Sequence, residues 1–185
     1  MRRTAGMVKR MKTTFRMLEA VSFGARAHAG NTRSDGETPY HAHPMRVALL
    51  VAGWGCDDET TLIAALLHDV IENSTTDYDD IAEEFGNGVA DCVVQLTRDY
   101  RLPHELQEAV YYEALAKADW RVRLVKLADG YDNVMDVGVE KVPKAKKTLE
   151  LLGKGDEPPL VRAHEALTEL IKRMSPATGL RTDVI

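Results

Sequence analysis

Residues 57 to 73, DDETTLIAALLHDVIEN, restrict the chain more than any other stretch, because an apolar run of helical periodicity carries His68 and Asp69 side by side in its interior. Asp57 or Asp58 is placed to cap this helix, its carboxylate accepting from backbone N–H groups that have no partner in the first turn. Leu62, Ala65, Leu66 and Val70 form the inward stripe; Asp69 falls within it, and His68 lies about 100° round the helix on its flank. An ionised carboxylate on a core-facing stripe persists only when it is paired, strongly hydrogen-bonded or bound to a cation. The adjacent imidazole points to a cation. A mutually satisfied structural pair is the other reading that two residues alone allow.

Helical spacing continues through nearly the whole chain. Residues 13 to 28 place Phe15, Leu18, Val21 and Ala25 at steps of three and four, and the breakers of AGNTRSDGETPY follow. HPMRVALLVAGWG predicts a second helix with Pro44 in its first turn and Gly53 and Gly55 at its end. TDYDDIAEEFG opens on an acidic turn and closes on Gly86. VADCVVQLT, PHELQEAVYYEALAKA, DWRVRLVKLADGYDNVMD, EKVPKAKKTLELLG and EPPLVRAHEALTELIKRM bring the total to roughly nine helices. None shows sustained strand alternation; CVVQL is β-branched but has the flanks and length of a buried helix. The expected fold class is all-α, a multi-helix bundle in one domain over residues 1–185, with residues 1–12 a flexible tail and residues 140–185 packing helices without a motif.

At 185 residues and 44% hydrophobic content one sizeable core is within reach. A net charge of -5 offers nucleic acid no general attraction, so an anionic ligand has to be met by locally placed cations. Cys56 and Cys92 lie in apolar surroundings outside any CxxC spacing, which argues against a thiolate metal site or disulfide framework and for a reducing cytoplasm. No apolar run reaches the roughly 18 residues that a membrane span needs.

A second inward carboxylate comes from a distant part of the chain. In RVRLVKLADGYDN, Val122 and Val125 share a helical face with Asp129. Two aspartates aimed at one interior repel unless a cation lies between them or one stays protonated. YHAHP adds His43 at a loop-to-helix junction restrained by Pro44. Two imidazoles and two carboxylates form a mixed nitrogen and oxygen set that suits Mn, Fe, Zn or Mg and leaves positions for water. Glu72, one turn after His68, is the candidate base or proton shuttle for that water.

The ordered series GNTRSDGETPYHAHP, LLHDVIEN and VRLVKLADGYDN, within about residues 15 to 135, resembles the HD-domain hydrolases of the RelA/SpoT type, especially the short stand-alone alarmone hydrolases. The resemblance implies an HD-domain bundle holding one divalent ion, usually Mn²⁺, on His43, His68, Asp69 and Asp129. It implies hydrolysis of the 3′-pyrophosphate of guanosine 3′-diphosphate 5′-diphosphate or its pentaphosphate relative. Arg33, Ser34 and Asn133 then occupy nucleotide-binding positions, and Glu72 and Asn73 the positions beside the reacting water. The chain departs from the family at Asn73, which replaces an acid and cannot take a proton. Ser34 replaces a lysine, and Gly130 and Met135 replace arginines. Lys126, Arg121 and Arg123 are the candidate substitutes, with Lys126 and Arg123 read as lying on other helical faces from Asp129. These departures keep two alternatives open: an HD phosphohydrolase for another nucleotide, and a catalytically weak nucleotide sensor that retains the ion. The oligomeric state is open.

The remaining histidines and aromatics have structural readings. His28 is expected to complement a helix dipole, His41 to lie in an exposed loop, and His104 and His164 on solvated faces. Trp54, Trp120, Tyr111 and Tyr112 are expected to pack.

Overall fold

The computed structural model describes the backbone of residues 2–175 and the side chains of residues 11–175; residues 176–185, the end of the expected C-terminal segment, lie outside the described residues. Among the described residues ten α-helices follow in order: α1 (Arg2–Ala27), α2 (Ala42–Gly53), α3 (Glu59–Leu67), α4 (Val70–Asn73), α5 (Tyr78–Phe85), α6 (Asn87–Leu96), α7 (His104–Lys117), α8 (Trp120–Val137), α9 (Val142–Leu152) and α10 (Pro158–Met174). A 3-10 turn, Val139–Lys141, leads into α9. Among the described residues the only extended pairing is an isolated bridge between Thr32 and Pro39, so the fold is all-α.

The centre of the bundle is α3. Asp58 caps it, accepting from the Thr61 N–H at 3.0 Å and the Thr61 hydroxyl at 2.6 Å. Every residue from Thr61 to Leu67 is buried, which a helix tolerates only when other elements surround it. Here α1, α2, α6 and α8 do so. Full burial of Leu62, Ile63, Leu66 and Leu67 contributes about 1.5–3 kcal/mol each. The second long buried element, α8, packs on α2, α9 and α10, so α2, α3 and α8 meet along one line.

Two expectations are corrected. The segment read as one helix over residues 57 to 73 is two, because α3 ends at Leu67 and α4 starts at Val70. At the junction His68 Nδ1 hydrogen-bonds the Ala65 carbonyl at 2.9 Å, a side chain entering the helical ladder, and Asp69 turns away from helical geometry with φ -105 and ψ -2. The first helix begins at Arg2 rather than near residue 13, so the segment expected as a tail is helical. Its inward face is also different: Ala20, Gly24 and His28 are buried, whereas Phe15, Leu18 and Ala25 face solvent.

Candidate metal centre

The interruption between α3 and α4 decides which way the two central side chains point. With the helix broken, His68 turns fully inward at 2% exposure, and Asp69 opens towards a cleft with 17% of its side chain exposed. This reverses the assignment from a continuous helix, which put Asp69 in the stripe and His68 on the flank. His43, in the first turn of α2, is buried and lies with its ring centroid 5.2 Å from that of His68. One donor atom each from His43, His68 and Asp69 falls within 4.8 Å of the others. Asp129 joins from α8: its Oδ1 is 3.2 Å from His43 Nε2 and 4.0 Å from His68 Nε2. Asp69 approaches the same two nitrogens, at 3.6 Å from His43 Nε2 and 3.3 Å from His68 Nε2.

A divalent ion fits this set. His68 Nε2 is buried and has no hydrogen-bond partner, and such an orphan is rare unless a ligand or ion satisfies it. Its Nδ1 is held by the Ala65 carbonyl, which leaves Nε2 as the free lone pair. Two imidazole nitrogens and two carboxylates facing one another suit a borderline divalent metal. Without a cation the aspartates draw the protons instead. Burial works to lower the His43 pKa, but hydrogen bonds to Asp129 and Asp132 outweigh it and raise it to about 9. Burial likewise opposes ionisation of Asp129, yet the Lys126 ammonium and the hydrogen bond to His43 hold it well below the ordinary carboxylate value. Asp69 is lowered in the same way, with His68 as the main opposing cause to burial.

The remaining predicted site residues divide into those the fold brings to this cleft and those it turns aside. Asn133 donates to both the backbone carbonyl and the carboxylate of Asp129. Arg33 reaches Asn133 Oδ1 at 3.1 Å but is also tied to Asp136 at 2.7 Å, with its guanidinium 5.3 Å from the Tyr40 ring centroid. Asn73 donates to the Tyr40 hydroxyl at 3.2 Å, and Tyr40 donates to Asp69 Oδ2 at 2.7 Å. Glu72 is turned aside: its carboxylate accepts from the Arg98 N–H at 2.7 Å and the Tyr100 hydroxyl at 3.4 Å. Ser34 and Met135 are exposed. Arg121 pairs with Asp119, and Arg123 donates to the Lys154 and Leu152 carbonyls.

Several participants escaped the sequence reading. Lys126 was placed on another face from Asp129, but residues three apart on a helix are neighbours, and its Nζ lies 2.7 Å from Asp129 Oδ2. Asp132, three residues after Asp129, accepts from His43 Nδ1 at 2.6 Å, and Arg46, three after His43, holds Asp132 in turn. Helical spacing from known candidates is the signal that could have found all three. Lys141 and Lys144 enter through tertiary packing: with Asp129, Gly130, Asn133 and Lys126 they line a cavity of about 70 Å³, a little over twice the ~30 Å³ of a water molecule. Desolvation, followed by repulsion from Lys126, lowers the Lys144 pKa. His28 is buried with neither ring nitrogen partnered, and burial chiefly lowers it to about 4. The ring nitrogens of His41 are buried against α1 rather than in an exposed loop. Trp54, Tyr111 and Tyr112 are buried packing residues, as expected.

Comparison with known proteins places this architecture. The HD-domain family signature matches residues 20–151. A guanosine-3′,5′-bis(diphosphate) 3′-pyrophosphohydrolase of Aquifex aeolicus is 41% identical over 131 residues, 69% of this chain but 18% of that protein. The Drosophila melanogaster enzyme of the same name, MESH1, is 35% identical over 126 residues, covering 67% of this chain and 70% of its own length. A solved structure described as a metazoan ortholog of SpoT that hydrolyzes ppGpp aligns with a TM-score of 0.76 at 28% identity, over 85% of this chain and 94% of that one. With the signature spanning most of the chain and a relative matched over two thirds of both lengths, the chain belongs to the HD-domain family.

Proposed function

We propose that this chain is a metal-dependent pyrophosphohydrolase that removes the 3′-pyrophosphate of guanosine 3′-diphosphate 5′-diphosphate or 5′-triphosphate, releasing pyrophosphate, with Mn²⁺ as its ion. One observation carries the reading: the donor set of His43, His68, Asp69 and Asp129 adjoins a lysine-walled cavity that shares Asp129 with it. A cation site beside a separate cluster of ammonium groups is the arrangement that a substrate with two phosphate-bearing ends requires. The names of the Aquifex and Drosophila relatives point to the same substrate.

When bound, a divalent ion supplies Lewis acidity at the phosphoryl group and lowers the pKa of a coordinated water well below that of bulk water. The chain's own groups hold and aim the reactants. Lys126 holds Asp129 Oδ2, Asn133 holds Asp129 Oδ1 and Tyr40 holds Asp69 Oδ2, which fixes the orientation of both carboxylates beside the two imidazoles. Tyr40 stays a neutral donor, because burial and then the Asp69 charge raise its pKa far above the phenol range. Lys144 on α9 and Lys141 in the 3-10 turn before it form no ion pair among the described residues and neutralise the nucleotide's phosphates. They take the place of the arginines that Gly130 and Met135 lack, and the absent side chain at Gly130 leaves the cavity open to them. Arg33 and Asn133 form the rim beside the ribose and base. The free Cys56 and Cys92 fit work in a reducing cytoplasm.

A second reading, a nucleotide-binding protein of slow turnover, is favoured by Asn73 and by the engagement of Glu72 with Arg98 and Tyr100. The test is product analysis on chelator-treated protein reloaded with Mn²⁺, beside an Asp69→Ala control. Pyrophosphate released from the guanosine tetraphosphate, and lost in the control, supports the hydrolase. Orthophosphate from nucleoside monophosphates assigns another nucleotide, and saturable binding without product assigns the second reading. Asn73→Asp separates the readings further, since restoring a proton acceptor raises kcat of a hydrolase on the order of tenfold or more.

A further inference from the structure

Behind the ligand side of His43 stands a chain of ion pairs that reaches solvent. His43 donates Nδ1–H to Asp132 Oδ2 at 2.6 Å, and Asp132 is 3% exposed. Arg46, one turn along α2 from His43, donates to both oxygens of that carboxylate, from Nε at 2.6 Å and from Nη2 at 3.0 Å. The same Nη2 lies 3.0 Å from Asp136 Oδ1, while Asp136 Oδ2 holds Arg33 at 2.7 Å. Arg33 in turn donates to Asn133, which donates to the Asp129 carboxylate. One guanidinium on α2 is therefore connected to the supports of two ligands on different helices. Arg46 lies at the edge of the core, 36% exposed, in the wall of an open groove of about 670 Å³ between α2 and α8.

We infer that Asp132, held in place by Arg46, is the positioning residue of the metal centre: it takes the Nδ1–H of His43 and so aims the Nε2 lone pair at His68, Asp69 and Asp129. The physical argument is one of tautomer and angle. An imidazole offers a metal only the nitrogen without a proton, and a carboxylate on the opposite nitrogen both selects the tautomer and fixes the ring plane. His68 achieves the same end differently, through the backbone carbonyl of Ala65, which no substitution of a side chain removes. The two imidazoles are thus held by unlike devices, and only that of His43 is a charged pair that substitution can disconnect. A carboxylate alone in this position would be a buried charge behind His43; Arg46 supplies the compensating charge, and its bidentate grip fixes the orientation of Asp132.

The inference rests on the metal reading, and the test keeps the two apart by measuring ion affinity without substrate. Mn²⁺ dissociation constants are determined by calorimetry on the chelator-treated full chain for the parent, Asp132→Asn, Asp132→Ala, Arg46→Lys and Arg46→Met. Loss of an outer partner of a ligating histidine weakens metal binding by about 10–100-fold, the range expected for Asp132→Ala. Asp132→Asn keeps an acceptor oxygen and falls between it and the parent. Arg46→Met weakens binding by about threefold to tenfold, and Arg46→Lys, which keeps the charge without the bidentate grip, recovers only part of that loss. In Zn²⁺-loaded protein the low-field Nδ1–H proton resonance of His43 is present in the parent and in Asp132→Asn and absent in Asp132→Ala. A merely structural role would lower the melting temperature of these variants without producing that order of affinities. Asp132→Ala within about threefold of the parent in affinity, or retention of the low-field resonance, overturns the inference. Should Asp132→Ala fail to fold, Arg46→Met decides, and parental affinity there overturns it equally. A parent that binds no Mn²⁺ ends the metal reading itself and the inference with it.

Discussion

The ligand cluster and the lysine cavity share Asp129, yet they differ in how their charges are answered. Around the cluster nearly every polar atom has a partner: Asp69 has Tyr40, Asp129 has Lys126 and Asn133, and His43 has Asp132. Among the four donor residues the exception is His68 Nε2. On the cavity wall Lys141 and Lys144 form no ion pair among the described residues, and the carboxylate there, Asp129, is already engaged by Lys126. A group that is fully partnered in the free protein is held ready in one geometry, whereas a group left uncompensated marks where a ligand of opposite charge makes up the difference. By that criterion the cluster lacks one cation at a fixed point and the cavity lacks an anion. Arg33, the cation the loop motif offers for the nucleotide, belongs with the first class, because Asp136 and Asn133 already hold it.

The largest effect that tests this contrast is removal of a cluster carboxylate. Asp69→Ala weakens Mn²⁺ binding by more than about 100-fold, beyond the range for an outer partner, and abolishes turnover; calorimetry and product release measure both. An Asp69→Ala chain that still binds Mn²⁺ like the parent would break the comparison at its stronger end.

Proton competition comes next. In the absence of an ion His43 is raised to about 9, so it is protonated at neutral pH and must lose that proton to ligate. Mn²⁺ affinity therefore rises with pH, by about tenfold per unit while one proton is displaced, and levels off above about pH 9. Calorimetry in buffers of different ionisation enthalpy reads the proton release directly. A flat affinity from pH 6 to 9 would mean that the imidazole is already neutral.

Lys144→Ala sharpens the other end. A hydrogen bond to a charged group contributes about 1.5–3 kcal/mol, so KM for the guanosine tetraphosphate rises about tenfold or more, while Mn²⁺ affinity measured without substrate stays at the parental value. The salt dependence of KM falls as well, because one phosphate contact is gone. Equal KM values in Lys144→Ala and parent would remove the lysines from the substrate's path.

The smallest effect concerns His28, buried beside Tyr40 and lowered to about 4 in the folded chain against 6.5 in the unfolded one. Protonation thus favours unfolding: the stability from its neutral form is complete above pH 6.5 and is lost as pH falls through that value towards 4. Thermal melts of metal-free parent and His28→Gln should converge across that interval as the parent loses the contribution. Parallel curves would show that His28 carries no linkage.

Local spacing made the four proposed ligand positions legible, because residue type, helical register and the cost of a buried carboxylate are all short-range properties. His43, His68, Asp69 and Asp129 could be named from three separated segments, and the helical content followed from the same periodicity. The break between α3 and α4 was not legible, since DETTLIAALLHDVIEN reads as continuous; it arises from a histidine side chain competing for a backbone carbonyl. The outward Phe15 and Leu18 were misread for a related reason. Periodicity shows that an apolar face exists, but the neighbours of α1 select which face is covered, and they chose the small residues Ala20 and Gly24 that allow close approach to α3 and His41.

What the amino-acid order determined by itself was the inventory: a run of helices, two imidazoles and two carboxylates with reason to meet a cation, and a shortage of the arginines expected near a nucleotide. Tertiary structure alone decided which cations stand beside Asp129 and how the four proposed ligands are oriented. Lys144 on α9 and Lys141 in the 3-10 turn before it reach the cleft because both elements pack on α8. Asp132 becomes a support for His43 because α2 lies against α8. Both contacts join segments far apart in the chain, and electrostatic interaction depends on distance in space, which local sequence does not encode.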